Sequence, residues 1–96
     1  MGTLDVESVE IADLDLVIYP NPTNGEAINV SYSAQDGETE FTLRDVNGKL
    51  IANQVITKTN TQVSEQLKNT QNLPSGCYFL EVRTGDHFTT KKVVVL

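Results

Sequence analysis

The sequence predicts an all-β domain, a seven-stranded immunoglobulin-like antiparallel β-sandwich, and three observations carry that prediction. Val, Ile and Thr make up 27 of the 96 residues and Trp is absent, a composition suited to pleated strands. No stretch sustains an apolar period of 3.6 residues, so helices have no signature. Turn dipeptides fall at 24–25, 36–37, 47–48, 59–60, 75–76 and 85–86, mostly ten to twelve residues apart, which is the interval of short sandwich strands. A small barrel is the alternative.

The elements follow in order. Residues 1–13 hold four acids and no base and read as an acidic linker, with a short edge strand as the other reading because Val6, Val9 and Ile11 are interleaved with acids. From Leu14 the pattern changes: Leu14, Leu16 and Ile18 alternate with Asp15, Val17 and Tyr19, and the run is cut at Pro20-Asn21-Pro22, where prolines remove backbone donors. After the Asn24-Gly25 turn, Ile28, Val30 and Tyr32 share one face of a second strand. Asp36-Gly37 is the strongest hairpin dipeptide and leads to a third strand around Phe41 and Leu43. Asp45-Val46-Asn47-Gly48 turns the chain into a fourth strand, Leu50–Thr57. Thr59-Asn60 precedes a fifth, Thr61–Leu67, in which Val63, Glu65 and Leu67 share a face. Leu73-Pro74-Ser75-Gly76 then opens a terminal hairpin, Cys77–Thr84 and His87–Leu96, around Gly85-Asp86.

Length and charge bound the function. A chain of 96 residues and 10.6 kDa makes one domain with a single modest core and little room for an enclosed active site. One cysteine, Cys77, and one histidine, His87, supply neither an intrachain disulfide nor a zinc site. No apolar run approaches the roughly 18 residues of a membrane span, and no leader pattern precedes residue 14. Met1-Gly2 reads as an expression start, which would make the chain a piece of a longer exported protein. Residues 1–50 carry ten carboxylates against Arg44 and Lys49, whereas residues 51–96 carry three acids against five bases. The overall −6 argues against a nucleic-acid partner, and the C-terminal half is where an anionic partner would touch, a solvated strand face being the plainer reading.

Chemistry is sparse. His87 lacks the nucleophile and acid of a triad. Asp45-Val46-Asn47-Gly48 opens like a calcium loop, but the ligand series stops, and an Asx turn explains it. Asp13 with Asp15 and Glu38 with Glu40 have strand-face spacing but nothing to separate their pKa values. A sugar platform needs aromatics, and Tyr19, Tyr32, Phe41, Tyr78, Phe79 and Phe88 are mostly required by the core. Cys77 alternates away from Tyr78, Leu80 and Val82. No enzyme activity, metal or cofactor is expected.

Three blocks taken together resemble a known family. Tyr19-Pro20-Asn21-Pro22-Thr23-Asn24-Gly25, Asp45-Val46-Asn47-Gly48-Lys49 and Leu73-Pro74-Ser75-Gly76-Cys77-Tyr78 are followed by the Gly85 turn and Lys91-Lys92-Val93-Val94-Val95-Leu96. In that order, over about residues 14–96, they resemble the C-terminal sorting domain (type A, Por secretion family) of type IX secretion cargo in Bacteroidota. Cys77 departs mildly from the small or aliphatic residue expected there. The resemblance implies a non-catalytic signal that directs its cargo from the periplasm through an outer-membrane translocon to the cell surface or medium. It also implies an outer-membrane shuttle protein and a surface sortase as partners, the sortase cutting before residue 14. A monomer is expected. Carried over residue by residue, the family positions are Pro20, Asn21, Pro22, Gly25, Gly48, Gly76, Tyr78 and Gly85, and the sorting signal is Lys91, Lys92, Val93, Val94, Val95 and Leu96. Turn geometry and core filling would also account for the family positions in a sandwich with no sorting role. The terminal strand is expected near a sheet edge, read by strand addition or by an apolar groove. An accessory carbohydrate- or protein-binding module is the competing function.

Overall fold

A computed structural model describes residues 15–34, 37–57, 62–85 and 87–96. The 1–13 linker, Leu14, the Thr59-Asn60 turn, Thr61, Asp36 and Asp86 lie outside them. The described residues form seven strands and no helix: β1 (Val17–Tyr19), β2 (Asn29–Ser33), β3 (Glu38–Asp45), β4 (Leu50–Thr57), β5 (Gln62–Gln66), β6 (Gly76–Thr84) and β7 (His87–Val95). Two antiparallel sheets result, β1-β2-β5 and β4-β3-β6-β7. This is the immunoglobulin-like sandwich the turn spacing predicts, with the fourth strand on the larger sheet.

Alternation explains the core. Ile28, just before β2, and Val30 and Tyr32 on it are fully buried while Asn29, Ser31 and Ser33 stay half-exposed. Opposite them, Phe41 and Leu43 of β3 and Tyr78, Leu80 and Val82 of β6 point inward, with Val93 and Val95 of β7. Each such side chain contributes about 1.5–3 kcal/mol by leaving water. The Tyr32 and Phe41 rings meet at 5.3 Å between centroids, tilted by 60°. Burial pushes the Tyr32 hydroxyl pKa up, and that hydroxyl nears Thr39 without completing a hydrogen bond.

Two departures from the sequence reading have local causes. Among the described residues the first strand begins at Val17, because Asp15 adopts φ 53°, a left-handed conformation that ends an extended run and that Asp tolerates. The β3–β4 register shifts between Leu43 and Arg44, leaving Ile51 without a partner. That bulge lets Ile51 and Ala52 both pack on the core, so β4 shows no clean alternation at its start.

Candidate functional site

The Tyr19–Gly25 block leaves β1 and runs beside the last strand. Pro20 and Pro22, both preceded by cis bonds, have no N–H to give to a ladder. The Asn21 side chain stands in for one: its Nδ2 donates to Lys92 O at 3.0 Å, and Val94 N donates to its Oδ1 at 3.1 Å. Thr23 continues with backbone alone, its N donating to Val94 O at 2.8 Å and its O accepting from Leu96 N at 2.9 Å. The result is a short parallel bridge between Thr23 and Val95. The edge of β7 is therefore occupied from Lys92 to Leu96.

The same loop is fixed on its other side. Asn24 N donates to Glu26 Oε1 at 2.8 Å, and the Thr23 hydroxyl lies 3.0 Å from Glu26 O and 3.3 Å from Glu26 Oε1. Hydrogen bonds from the Asn24 amide first, then from the Glu26 amide and the Thr23 hydroxyl, hold the Glu26 carboxyl below its ordinary value. Gly25, at φ 94°, accepts from Asn72 N at 3.0 Å. Buried Thr70 receives Ile28 N at 2.9 Å and donates to Leu67 O at 2.8 Å, while Leu67 N returns to Ile28 O.

The other two blocks meet beside this clamp. Asp45 Oδ1 accepts from Asn47 N and Lys49 N, both at 2.9 Å, which is the Asx turn the sequence suggests, and Gly48 closes it at φ 84°. At the start of β6, Tyr78 Oη donates to Pro74 O at 2.6 Å. This is the tyrosine corner of immunoglobulin-like folds, so Tyr78 does more than fill the core. Asp45, Val46, Lys49 and Ile51 face Pro74, Ser75, Gly76, Cys77 and Tyr78 across a hollow of about 350 Å³. Pro20, Asn21, Pro22, Gly25, Gly48, Gly76 and Tyr78 thus gather at one end of the sandwich with Lys92–Leu96. Gly85, in the β6–β7 connection, sits at the opposite end.

The proposed signal residues divide by parity. Val93 and Val95 are 0% and 3% exposed and belong to the core, whereas Leu96 is 66% exposed and Lys92 is also exposed. Val94 and Lys91 are half-buried, Lys91 standing opposite Leu80 in mid-strand. Folding therefore accounts for two of the four terminal apolar residues. Of the two expected readings of the terminal strand, by strand addition or by an apolar groove, strand addition across Val93–Leu96 conflicts with Asn21 and Thr23, which already hold that edge.

Other expectations resolve as follows. Tyr32, Phe41 and Tyr78 are buried, but Tyr19, Phe79 and Phe88 are exposed, more than the core-filling expectation allowed. Tyr19 lies on the small sheet and bonds Ser64 Oγ at 2.7 Å, while Phe88 lies under Arg83 on the large one, 5.1 Å from guanidinium to ring. They form no common platform. Cys77 is half-buried opposite Val94. Sequence reasoning missed Thr23, Thr70 and Asn72; the run of polar turn formers between Leu67 and Leu73 was the available signal. Among the described residues no cluster of His, Cys, Asp or Glu is placed to hold a metal, and no helix is long and apolar enough to cross a membrane.

The family model described as the secretion system C-terminal sorting domain matches residues 17–96. No curated protein matches the chain.

Proposed function

The chain belongs to the family of type IX secretion C-terminal sorting domains, and from that membership we propose that it acts by recognition and not by catalysis, handing its cargo to the export machinery as a folded unit. Domains of this family are generally non-catalytic, and a type IX sorting domain implies interaction with the secretion machinery and delivery to the cell surface or medium. Under this reading residues 14–96 are the folded signal and residues 1–13 the spacer in which a surface sortase cuts. The translocon and a shuttle protein read the end of the sandwich where the family blocks converge, after transit through the periplasm.

One observation carries this reading: Asn21, from the first family block, is bonded on both sides of its amide to Lys92 and Val94 of the last. Blocks separated by about seventy positions form one surface, presenting Lys92 and Leu96 outward while Val93 and Val95 anchor it from within. The exposed cation and apolar tip are what a partner can touch in the folded state; Lys91 contributes from mid-strand. Appending the whole 96-residue chain to an exported reporter in a type IX-competent host tests the proposal. Surface delivery with loss of the domain is expected, and retention of the intact fusion in the periplasm overturns it.

A further inference from the structure

A sandwich has four sheet edges, and here three are guarded. β1 is three residues long and β5 is five, and short edges are poor templates. β7 is held by Asn21 and Thr23 from Lys92 onward, and the rest of it carries His87 and Lys91. Among the described residues the exception is β4, the outer strand of the larger sheet, eight residues long and reading LIANQVIT, without a charge or a proline; Gln54 Oε1 accepts from Lys68 N at 2.9 Å, a side-chain bond that leaves the strand's own backbone row open. Its bulge at Ile51 affects only the start; from Ala52 to Thr57 the register with β3 is unbroken. An unguarded edge of this length is a template for an incoming strand.

The ladder fixes which of its backbone groups are open. Val94 N and O and Leu96 N point away from β6, so even positions of β7 face outward. Alternation carried through the registers of β7 with β6, β6 with β3 and β3 with β4 puts the outward amides and carbonyls of β4 at Asn53, Val55 and Thr57. Val55, 47% exposed, lies in the middle of that row.

We propose that β4 is where the export machinery adds an extended segment of its own, paired along Asn53–Thr57; this rests on the sorting function proposed above. The incoming strand carries no acid where it faces β4, since the Glu40 carboxylate lies at that row, accepting from Asn53 Nδ2 at 2.9 Å, and like charges side by side are destabilising. It is foreign and not a second copy, because two copies each carrying a net charge of −6 repel as they approach.

The test uses the reporter fused to the whole chain. Val55→Pro removes one outward N–H and no bond to β3, and Val55→Lys adds a guard while leaving the backbone intact. Both are expected to reduce surface delivery by at least about tenfold, equivalent to about 1.4 kcal/mol of binding, and Val55→Thr to preserve it. Far-ultraviolet circular dichroism and thermal melts of the purified domains confirm that folding survives; if Val55→Pro does not fold, Val55→Lys decides. Wild-type delivery by a folded Val55→Lys fusion overturns the inference, as does a concentration-dependent dimer in light scattering that the same substitution abolishes. If the unmodified fusion is not delivered, the sorting function itself falls, and the inference with it.

Discussion

The two ends of the sandwich are built on different principles. At one end the β1–β2 loop is bonded across long sequence separations both to the β5–β6 connection and to the last residues of β7, with the β3–β4 turn beside them. At the other, the described residues Gly37, Glu38, Glu40, Arg83 and Gly85 surround an open, charged hollow of about 400 Å³. Any antiparallel sandwich needs turns at both ends, yet the family blocks other than Gly85 gather at one. The blocks therefore encode a surface as well as a fold, and they do so through loop-to-strand bonds that ordinary turn chemistry does not require.

That contrast can be broken experimentally, beginning where the effect is largest. Deleting Val93–Leu96 removes two core valines, one of the two partners of Asn21 and both β7 partners of Thr23, and should destabilise the domain by about 5 kcal/mol or more, leaving much of it unfolded in urea titrations. Such a truncation cannot separate signal from fold; Lys92→Ala with Leu96→Ala can, because both side chains are exposed. Replacing Asn21 by Ala should cost about 1–3 kcal/mol and speed hydrogen exchange at the Val94 amide. Unchanged exchange there would mean that the clamp is not what closes this end.

Glycine substitutions sharpen the comparison further. Gly48 and Gly85 have φ of 84° and 57°, so Gly48→Ala and Gly85→Ala should each cost about 1–2 kcal/mol in thermal melts. Surface delivery of a fused reporter should suffer only for Gly48→Ala; equal losses would erase the functional difference between the ends. The smallest effect concerns Glu26. Its carboxyl pKa is lowered in the folded state from an ordinary 4.5, so its contribution is fully present above that value and is lost as pH falls through the folded one. The stability gap between wild type and Glu26→Gln should therefore close below about pH 4.5.

Much of the fold was legible because its strands obey alternation. Ile28, Val30 and Tyr32 announce a buried face without ambiguity, and Asp-Val-Asn-Gly announces its own turn. β4 hides its pattern because a bulge admits two consecutive residues to the core, an event that leaves no mark in LIANQVIT. The site was legible only as separate blocks. That an asparagine side chain would replace a proline-blocked ladder, or that Val93 and Val95 would turn inward while Leu96 turned out, depends on pairings between residues more than seventy positions apart, and no local rule supplies them.

The bond between Asn21 and Val94 also makes the first loop conditional on the last strand. A product of interrupted translation that lacks β7 leaves Asn21 with nothing to hold, and the surface it shares with Lys92 and Leu96 never assembles. Under the sorting function proposed above, the address would be displayed only once β7 has been made and has docked against the first loop.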